Sequence, residues 1–185
     1  MTKVLGISGS LRRASYNSAL LRAAARLMPE GATLEIASLR GIPLYDGDVE
    51  AQGIPAGVNQ LKEAIIAADG VLLATPEYNN SIPGVFKNAI DWLSRPSSDI
   101  KRVFGGRPFA IMGASPGGFG TTLSQAAWLP VMRTLGTQTW FGARLLVSRA
   151  ANVFDEAGGF KDATVEEQLK QFLAGYVHFL RRPAG

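Results

Sequence analysis

Short apolar runs alternate along the chain with longer segments in which apolar positions recur every three or four residues. Lys3–Ile7 is the first run, and Ser8-Gly9-Ser10 closes it as a turn. Thr33–Ala37, Gly70–Ala74, Pro108–Gly113 and Thr137–Val147 predict four more strands. Helical spacing covers Asn17–Met28, stopped by Pro29-Glu30-Gly31, and Val58–Ala68, with Val58, Leu61, Ile65 and Ala68 in one stripe. It returns over Pro83–Leu93, over Thr121–Leu135 with a bend at Pro130, and over Thr164–Leu180, where Thr164 and Glu167 fit a capping box. Residues 38–55, with Gly41, Pro43, Gly47, Gly53 and Pro55, read as a long loop.

Five strand–helix units follow from this pattern, with no repeat and no linker to split them, so one domain over residues 1–185 is expected. Several strands lack the polar alternation of a half-exposed sheet. Strands apolar on both faces belong to a parallel sheet covered by helices on both sides, and right-handed crossovers make that a doubly wound α/β sandwich. Ligands of such sheets sit beyond the carboxyl ends of the strands, at the switch in strand order. The loops after the first, third and fourth strands are therefore where function is expected.

Composition narrows the chemistry. The 185 residues are 46% hydrophobic and 18% charged, which excludes intrinsic disorder. No apolar run reaches bilayer-spanning length, and Met1-Thr2-Lys3 passes straight into the first strand with no secretory pattern, so a cytoplasmic location away from membranes is expected. There is no cysteine and one histidine, His178. Disulfides, thiolate nucleophiles, cysteine-ligated metals and multi-histidine metal sites are excluded, and His178 reads as a structural helix residue. The expectation is no catalytic side chain and no metal, hence an organic cofactor or no catalysis at all. The net charge of +4 is spread through loops and element ends, a solvated surface rather than a nucleic-acid face. Such a mild positive field favours anionic small molecules, a phosphorylated nicotinamide nucleotide among them.

All three loops are unusual. The first, Gly6 to Asn17, leads from a buried strand into a helix N-terminus, where free N–H groups and the dipole favour an anion. Ser8, Ser10, Ser15, Asn17 and Ser18 add neutral donors and Arg12 and Arg13 add charge, which suits a monophosphate; a capped Ser/Gly turn is the other reading. Neither a Gly-Lys-Ser/Thr ending nor a G-x-G-x-x-G fingerprint is present, so neither ATP nor Rossmann-bound NAD is supported. The second loop, Thr75 to Gly84, is stiffened by two prolines and offers fixed backbone dipoles to the edge of a planar heterocycle, with Tyr78 near its face, or forms an ordinary Pro/Asn turn. The third, Gly113 to Thr121, places Gly117, Gly118 and Gly120 so that backbone can approach a ligand closely, while Phe119 is either platform or core.

Gly9-Ser10-Leu11-Arg12 with Ser15 and Asn17 resembles the phosphate loop of the NADPH-dependent FMN reductase family, which includes bacterial quinone, chromate and azo-dye reductases of flavodoxin-like fold. Pro76-Glu77-Tyr78-Asn79, Ser81, Pro83-Gly84 and Lys87-Asn88-Ala89-Ile90-Asp91-Trp92 resemble its second signature, and Ser115-Pro116-Gly117-Gly118 its third loop. The likeness runs over essentially the whole chain. It implies non-covalent FMN, with Ser10, Arg12, Ser15, Asn17 and Ser18 around the phosphate. Pro76, Glu77, Tyr78 and Asn79 would line the isoalloxazine, bordered on its other side by Ser115, Pro116, Gly117 and Gly118. It further implies a ping-pong oxidoreductase carrying hydride from NADPH or NADH through FMN to a small acceptor, in a homodimer or homotetramer. A flavodoxin-type electron carrier serving a partner protein is the alternative. Such carriers are usually acidic at the docking face, which a net charge of +4 opposes.

Overall fold

The computed structural model describes residues 1–155 and 159–182. In chain order it holds β1 (Thr2–Ser8), α1 (Tyr16–Arg26), β2 (Ala32–Ala37), α2 (Gly47–Gln52), α3 (Ala56–Ala67), β3 (Gly70–Ala74) and α4 (Gly84–Leu93). A 3-10 turn over Ser97–Asp99 runs into α5 (Ile100–Val103), followed by β4 (Pro108–Ala114) and α6 (Thr122–Thr134). The chain closes with β5 (Gln138–Thr139), β6 (Leu146–Val147), α7 (Ala150–Val153) and α8 (Ala163–Leu180). All strand pairs are parallel, in the order β2-β1-β3-β4-β5, with β6 also on β4. This is the flavodoxin-like doubly wound sandwich. Its switch in order lies at β1, between β2 and β3.

The two-residue period of the strands sorts the core into two layers. Leu5, Ile7, Val71, Leu73, Phe109 and Ile111 face one side, where Phe86, Trp92, Phe104 and Trp128 from α4, the turn after α5 and α6 cover them. Val4, Leu72, Ala110 and Met112 face the other, under Leu20 and Leu21 of α1 and Phe172 and Tyr176 of α8. The edge strands β2 and β5 are the more exposed ones. Burial on both faces is what near-continuous apolar strands require.

Four expectations need correction. The fifth strand over Thr137–Val147 is two separate two-residue strands. The Trp140 ring docks against Phe172 and Tyr176 of α8, with ring centroids 5.0 and 5.6 Å away, and draws the chain off the edge of β4 until Leu146. The last helix is capped by Asp162, whose carboxylate accepts from the N–H groups of Thr164 (2.9 Å) and Val165 (3.4 Å), so Thr164 is not its cap and the capping box is absent. The 38–55 loop contains α2, started by Asp46 accepting from the Asp48 N–H. Pro83 is the N-cap of α4 rather than its first helical residue. Pro130 lies inside α6, which continues through it.

Candidate functional site

Because β1, β3 and β4 are neighbours, the loops leaving their carboxyl ends rise side by side, and hydrogen bonds tie each to the next. Gly9 N–H donates to the Ala74 carbonyl at the end of β3 (2.9 Å). Gly9 is also wedged against the Phe86 and Pro76 rings, where a Cβ would collide, so the first loop can approach the second only with glycine there. Thr75 N–H donates to the Met112 carbonyl of β4 (2.9 Å). Ser115 N–H donates to Val147, and Ala150 and Arg149 N–H groups return to the carbonyls of Ser115 and Gly117, which sets the third loop against β6 and α7.

In the first loop, Ser15 is the α1 N-cap, its hydroxyl accepting from Ser18 N–H (3.3 Å). Ser8 Oγ accepts from Ser18 Oγ (3.0 Å) and from Ser10 N–H (3.4 Å). Ser10 Oγ accepts in turn from Arg12 N–H (3.4 Å), and the Arg12 guanidinium lies 5.2 Å from the Tyr16 ring centre. Ser10, Arg12 and Ser18 therefore gather at the mouth of α1, where helix N–H groups and a cation favour a phosphate. Asn17 is different. Its amide is 2% exposed and forms a two-way pair with Ala114, Nδ2 donating to the carbonyl (2.8 Å) and Oδ1 accepting from the N–H (2.9 Å). This places Asn17 as a clamp between α1 and β4 rather than as a donor lining the cup.

The second loop rests on a buried polar network. Thr75 Oγ1 donates to the Pro76 carbonyl (2.9 Å), lies 2.9 Å from Ser124 Oγ and accepts from Trp128 Nε1 (3.1 Å). Glu77, expected beside a ring, sends its carboxylate to the start of α6, where Oε2 accepts from Leu123 N–H (2.8 Å) and Ser124 N–H (3.0 Å). Thr121 supplies no side-chain cap there, so the cap comes from the neighbouring loop. Tyr78 and Ser81 exchange two backbone bonds around Asn79 and Asn80, whose φ of 49° and 61° mark a type I′ turn. That turn holds the half-exposed Tyr78 ring out over the rim. In the third loop, Ser115 is buried with Oγ accepting from Gly117 N–H (3.0 Å), while Pro116, Gly117, Gly118 and Phe119 are exposed.

Glu77→Ala is expected to destabilise the protein by about 1 kcal/mol, the usual worth of a helix cap. Glu77→Gln retains one neutral acceptor and should recover part of that loss. Urea denaturation of the two variants checks both, and equal stability of all three proteins would remove the cap from the account.

Sequence reasoning placed all three loops and missed what joins them. Asn17 and Ala114 lie 97 residues apart, and Glu77 lies 46 residues from Leu123. It also passed over Arg22 and Arg40, which line a cavity beside the first loop with Arg12 and Arg13. Ser15, Ser18 and Arg22 follow one another at helical spacing along α1, a polar stripe on a segment otherwise rich in Ala and Leu, and this was a legible signal.

A flavodoxin-like sandwich with a serine- and arginine-lined helix mouth next to two rigid backbone loops defines a flavin-mononucleotide type of protein. Residues 2–152 match the profile of the NADPH-dependent FMN reductases, and the chain belongs to that family. It is an oxidoreductase with FMN as cofactor and NAD(P)H as electron donor. It is 46% identical to an NAD(P)H-dependent FMN reductase of Pseudomonas aeruginosa, over 99% of this chain and 97% of that one. It is 35% identical to a 2-hydroxy-1,4-benzoquinone reductase of a Burkholderia species, over 97% and 96% of the two chains. Among solved structures, the flavoenzyme NAD(P)H:(acceptor) oxidoreductase FerB of Paracoccus denitrificans superposes with a TM-score of 0.87 at 31% identity, covering 97% of each chain.

The site fits the group. Gly9 and Gly113 are positions where a Cβ would close the spaces between loops, and Ser10, Arg12 and Ser18 converge on one helix mouth. Among the described residues there is no cluster of His, Asp and Glu able to hold a metal and no helix long and apolar enough to cross a membrane.

Proposed function

We propose that this chain, as a single FMN-binding domain over residues 1–185, moves reducing equivalents from NAD(P)H to a small acceptor, a quinone or a similar compound such as an azo dye, a nitroaromatic or chromate, by a ping-pong cycle. Bound FMN supplies the hydride chemistry, and the protein supplies binding, orientation and electrostatics. The observation that carries this reading is the bracing of three loops by Gly9–Ala74, Asn17–Ala114 and Glu77–Leu123/Ser124 bonds at the carboxyl ends of β1, β3 and β4.

Ser10, Arg12 and Ser18, with the first N–H groups of α1, hold the phosphate. Ser15 and Asn17 act on the phosphate through the loop they shape. Pro76, Tyr78 and Asn79 border the ring on one side, and Ser115, Pro116, Gly117 and Gly118 on the other, through a backbone whose dipoles are fixed in advance. Glu77 keeps the two walls at constant spacing. A homodimer or homotetramer belongs to the same proposal. Phe119, Leu123, Leu129 and Phe141, exposed on the third loop, α6 and the segment after β5, support a surface that a second copy covers.

The test is an anaerobic visible spectrum of the FMN-reconstituted, desalted protein before and after NADPH, and then after a quinone. Retained flavin absorbance that bleaches with NADPH and returns with the quinone is the expected result. Retained colour that neither NADPH nor NADH bleaches would make the protein an electron carrier, and no retained colour would overturn the flavin reading.

A further inference from the structure

Where the second loop leaves β3, three polar side chains meet inside an apolar layer. Thr75, Ser124 and Trp128 are each 0% exposed, and the Trp128 ring meets Phe86 edge to face with centroids 5.0 Å apart. Polar atoms buried in such surroundings need partners. These find only one another and the Pro76 carbonyl.

Counting protons fixes the direction of each bond. An indole only donates, a carbonyl only accepts, and a hydroxyl has one proton and two lone pairs. The Thr75 proton goes to the Pro76 carbonyl (2.9 Å), so both lone pairs accept, one from Trp128 Nε1 (3.1 Å) and one from Ser124 Oγ (2.9 Å). The Thr75 hydroxyl is thereby fully used and has a single orientation. Valine, alanine and phenylalanine at the three positions would fill the same space with nothing to satisfy, at little cost in stability. What they could not do is hold the Pro76 carbonyl.

That carbonyl decides what the second loop offers outward. The Pro76–Glu77 peptide is trans, since the cis bond among the described residues is Arg95–Pro96. In a planar trans peptide the C=O and N–H point in opposite directions. With the carbonyl drawn inward to Thr75, the Glu77 N–H is turned away from the interior, and it donates to no acceptor among the described residues. Thr75 N–H is taken by Met112 and Pro76 has none, so Glu77 supplies the first free backbone donor of the wall assigned to the ring. A fixed donor there stabilises negative charge on the ring, and a carbonyl in its place would oppose it.

We propose that Thr75 is a positioning residue whose hydroxyl, by fixing the Pro76–Glu77 peptide, raises the electron affinity of bound FMN. The inference rests on the flavin reading above and adds to it what sets the potential of the cofactor. Thr75 acts through one peptide and not by contact with the ring, and Ser124 and Trp128 hold its hydroxyl in place.

The experiment compares Thr75→Val, which keeps the shape and removes the hydroxyl, with Thr75→Ser, which keeps the hydroxyl and removes the methyl. Dissociation constants of the full chain for oxidised and for dithionite-reduced FMN are measured by anaerobic calorimetry, and their ratio gives the potential of the bound cofactor relative to the free one. A hydrogen bond to a charged group is worth at least about tenfold in an equilibrium constant. Thr75→Val is therefore expected to weaken reduced FMN about tenfold or more relative to oxidised FMN, a fall of about 30 mV for a two-electron couple. Thr75→Ser is expected to keep the wild-type ratio. Urea denaturation separates this effect from stability, which both variants lose: valine leaves Trp128 Nε1 and Ser124 Oγ without their acceptor, and serine gives up a buried methyl. If Thr75→Val does not fold, Trp128→Phe takes its place; it keeps a packed ring, removes one of the two donors that orient the hydroxyl, and should move the ratio the same way by a smaller factor. An unchanged ratio in the folded variant would overturn the inference and leave the flavin reading intact. Equal weakening of both forms, or a serine variant shifted as far as the valine one, would make Thr75 a support of loop shape and overturn it too. A wild-type protein that binds neither form of FMN would sink the flavin reading and this inference with it.

Discussion

Gly113→Ala is expected to cost about 3 kcal/mol, at the upper end of what one added methyl does in a packed interior, and to leave the protein unable to retain FMN through desalting. A Cβ at position 113 would meet the Thr75 carbonyl oxygen and the Thr121 side chain. The first of these is backbone held by the Thr75 N–H bond to Met112 (2.9 Å), and the second is buried at the start of α6, so neither can swing aside cheaply. The strain can be relieved only by parting the second loop from the third, and these two loops are the walls assigned to the flavin ring. Gly118→Ala is the control. It lies in the same glycine-rich loop, but a Cβ there would meet no other part of the protein within 4 Å, so its stability should stay near wild type. Urea denaturation and the flavin absorbance after desalting read the two effects separately. If Gly113→Ala kept its flavin, fixed spacing between the loops would not be what binds it.

The contrast between these glycines shows which parts of the site were legible in the sequence. Gly113 to Thr121 was visible as a loop where backbone comes close to a ligand, but the sequence could not say which glycine is tight and which is free. That depends on Thr75 and Thr121, which the parallel order of β3 and β4 brings together. The strands were readable because burial on both faces leaves near-continuous apolar runs, and β3 was placed at Gly70–Ala74 as observed. The fifth strand was over-extended because Thr137–Val147 is apolar enough for a strand, and only the docking of Trp140 on α8 interrupts it.

Side-chain roles were harder to read than positions. Asn17 and Glu77 stand at positions expected to meet the cofactor, and each spends its polar atoms on backbone across the rim instead. Both are long-range hydrogen bonds, and residue type does not distinguish a ligand donor from a clamp. Lys62 was different, because its signal was present. Val58, Leu61, Lys62 and Ile65 form one helical stripe, and a lysine within an apolar stripe requires a partner to receive its charge.

That partner makes Asp99→Asn the second large expected effect. Lys62 has 0% of its side chain exposed, and its Nζ donates to Asp99 Oδ2 (2.8 Å) and to the Arg95 carbonyl. Removing the Asp99 charge leaves a buried ammonium with a carbonyl alone. Breaking a fully buried pair from one side costs about 3–5 kcal/mol, and Asp99 is 24% exposed, so about 2–3 kcal/mol is expected at neutral pH. Lys62→Met should cost less, because it removes the buried charge and leaves an aspartate that still reaches water and Arg102 (3.4 Å). The pH dependence gives a second check. The hydrogen bond from Lys62 holds the Asp99 carboxyl below its ordinary value of 3.8, with Arg102 adding to the effect against a smaller opposing cost of burial. A carboxyl lowered in the folded state contributes stability that is fully present above the unfolded value and is lost as the pH falls through the folded one. The gap between wild type and Asp99→Asn in urea denaturation should therefore be widest at neutral pH and close as the solution is taken below 3.8. A gap that stayed constant down to that range would mean that the aspartate acts through its shape rather than its charge, and a larger loss for Lys62→Met than for Asp99→Asn would place the stability in the lysine's packing and its bond to Arg95.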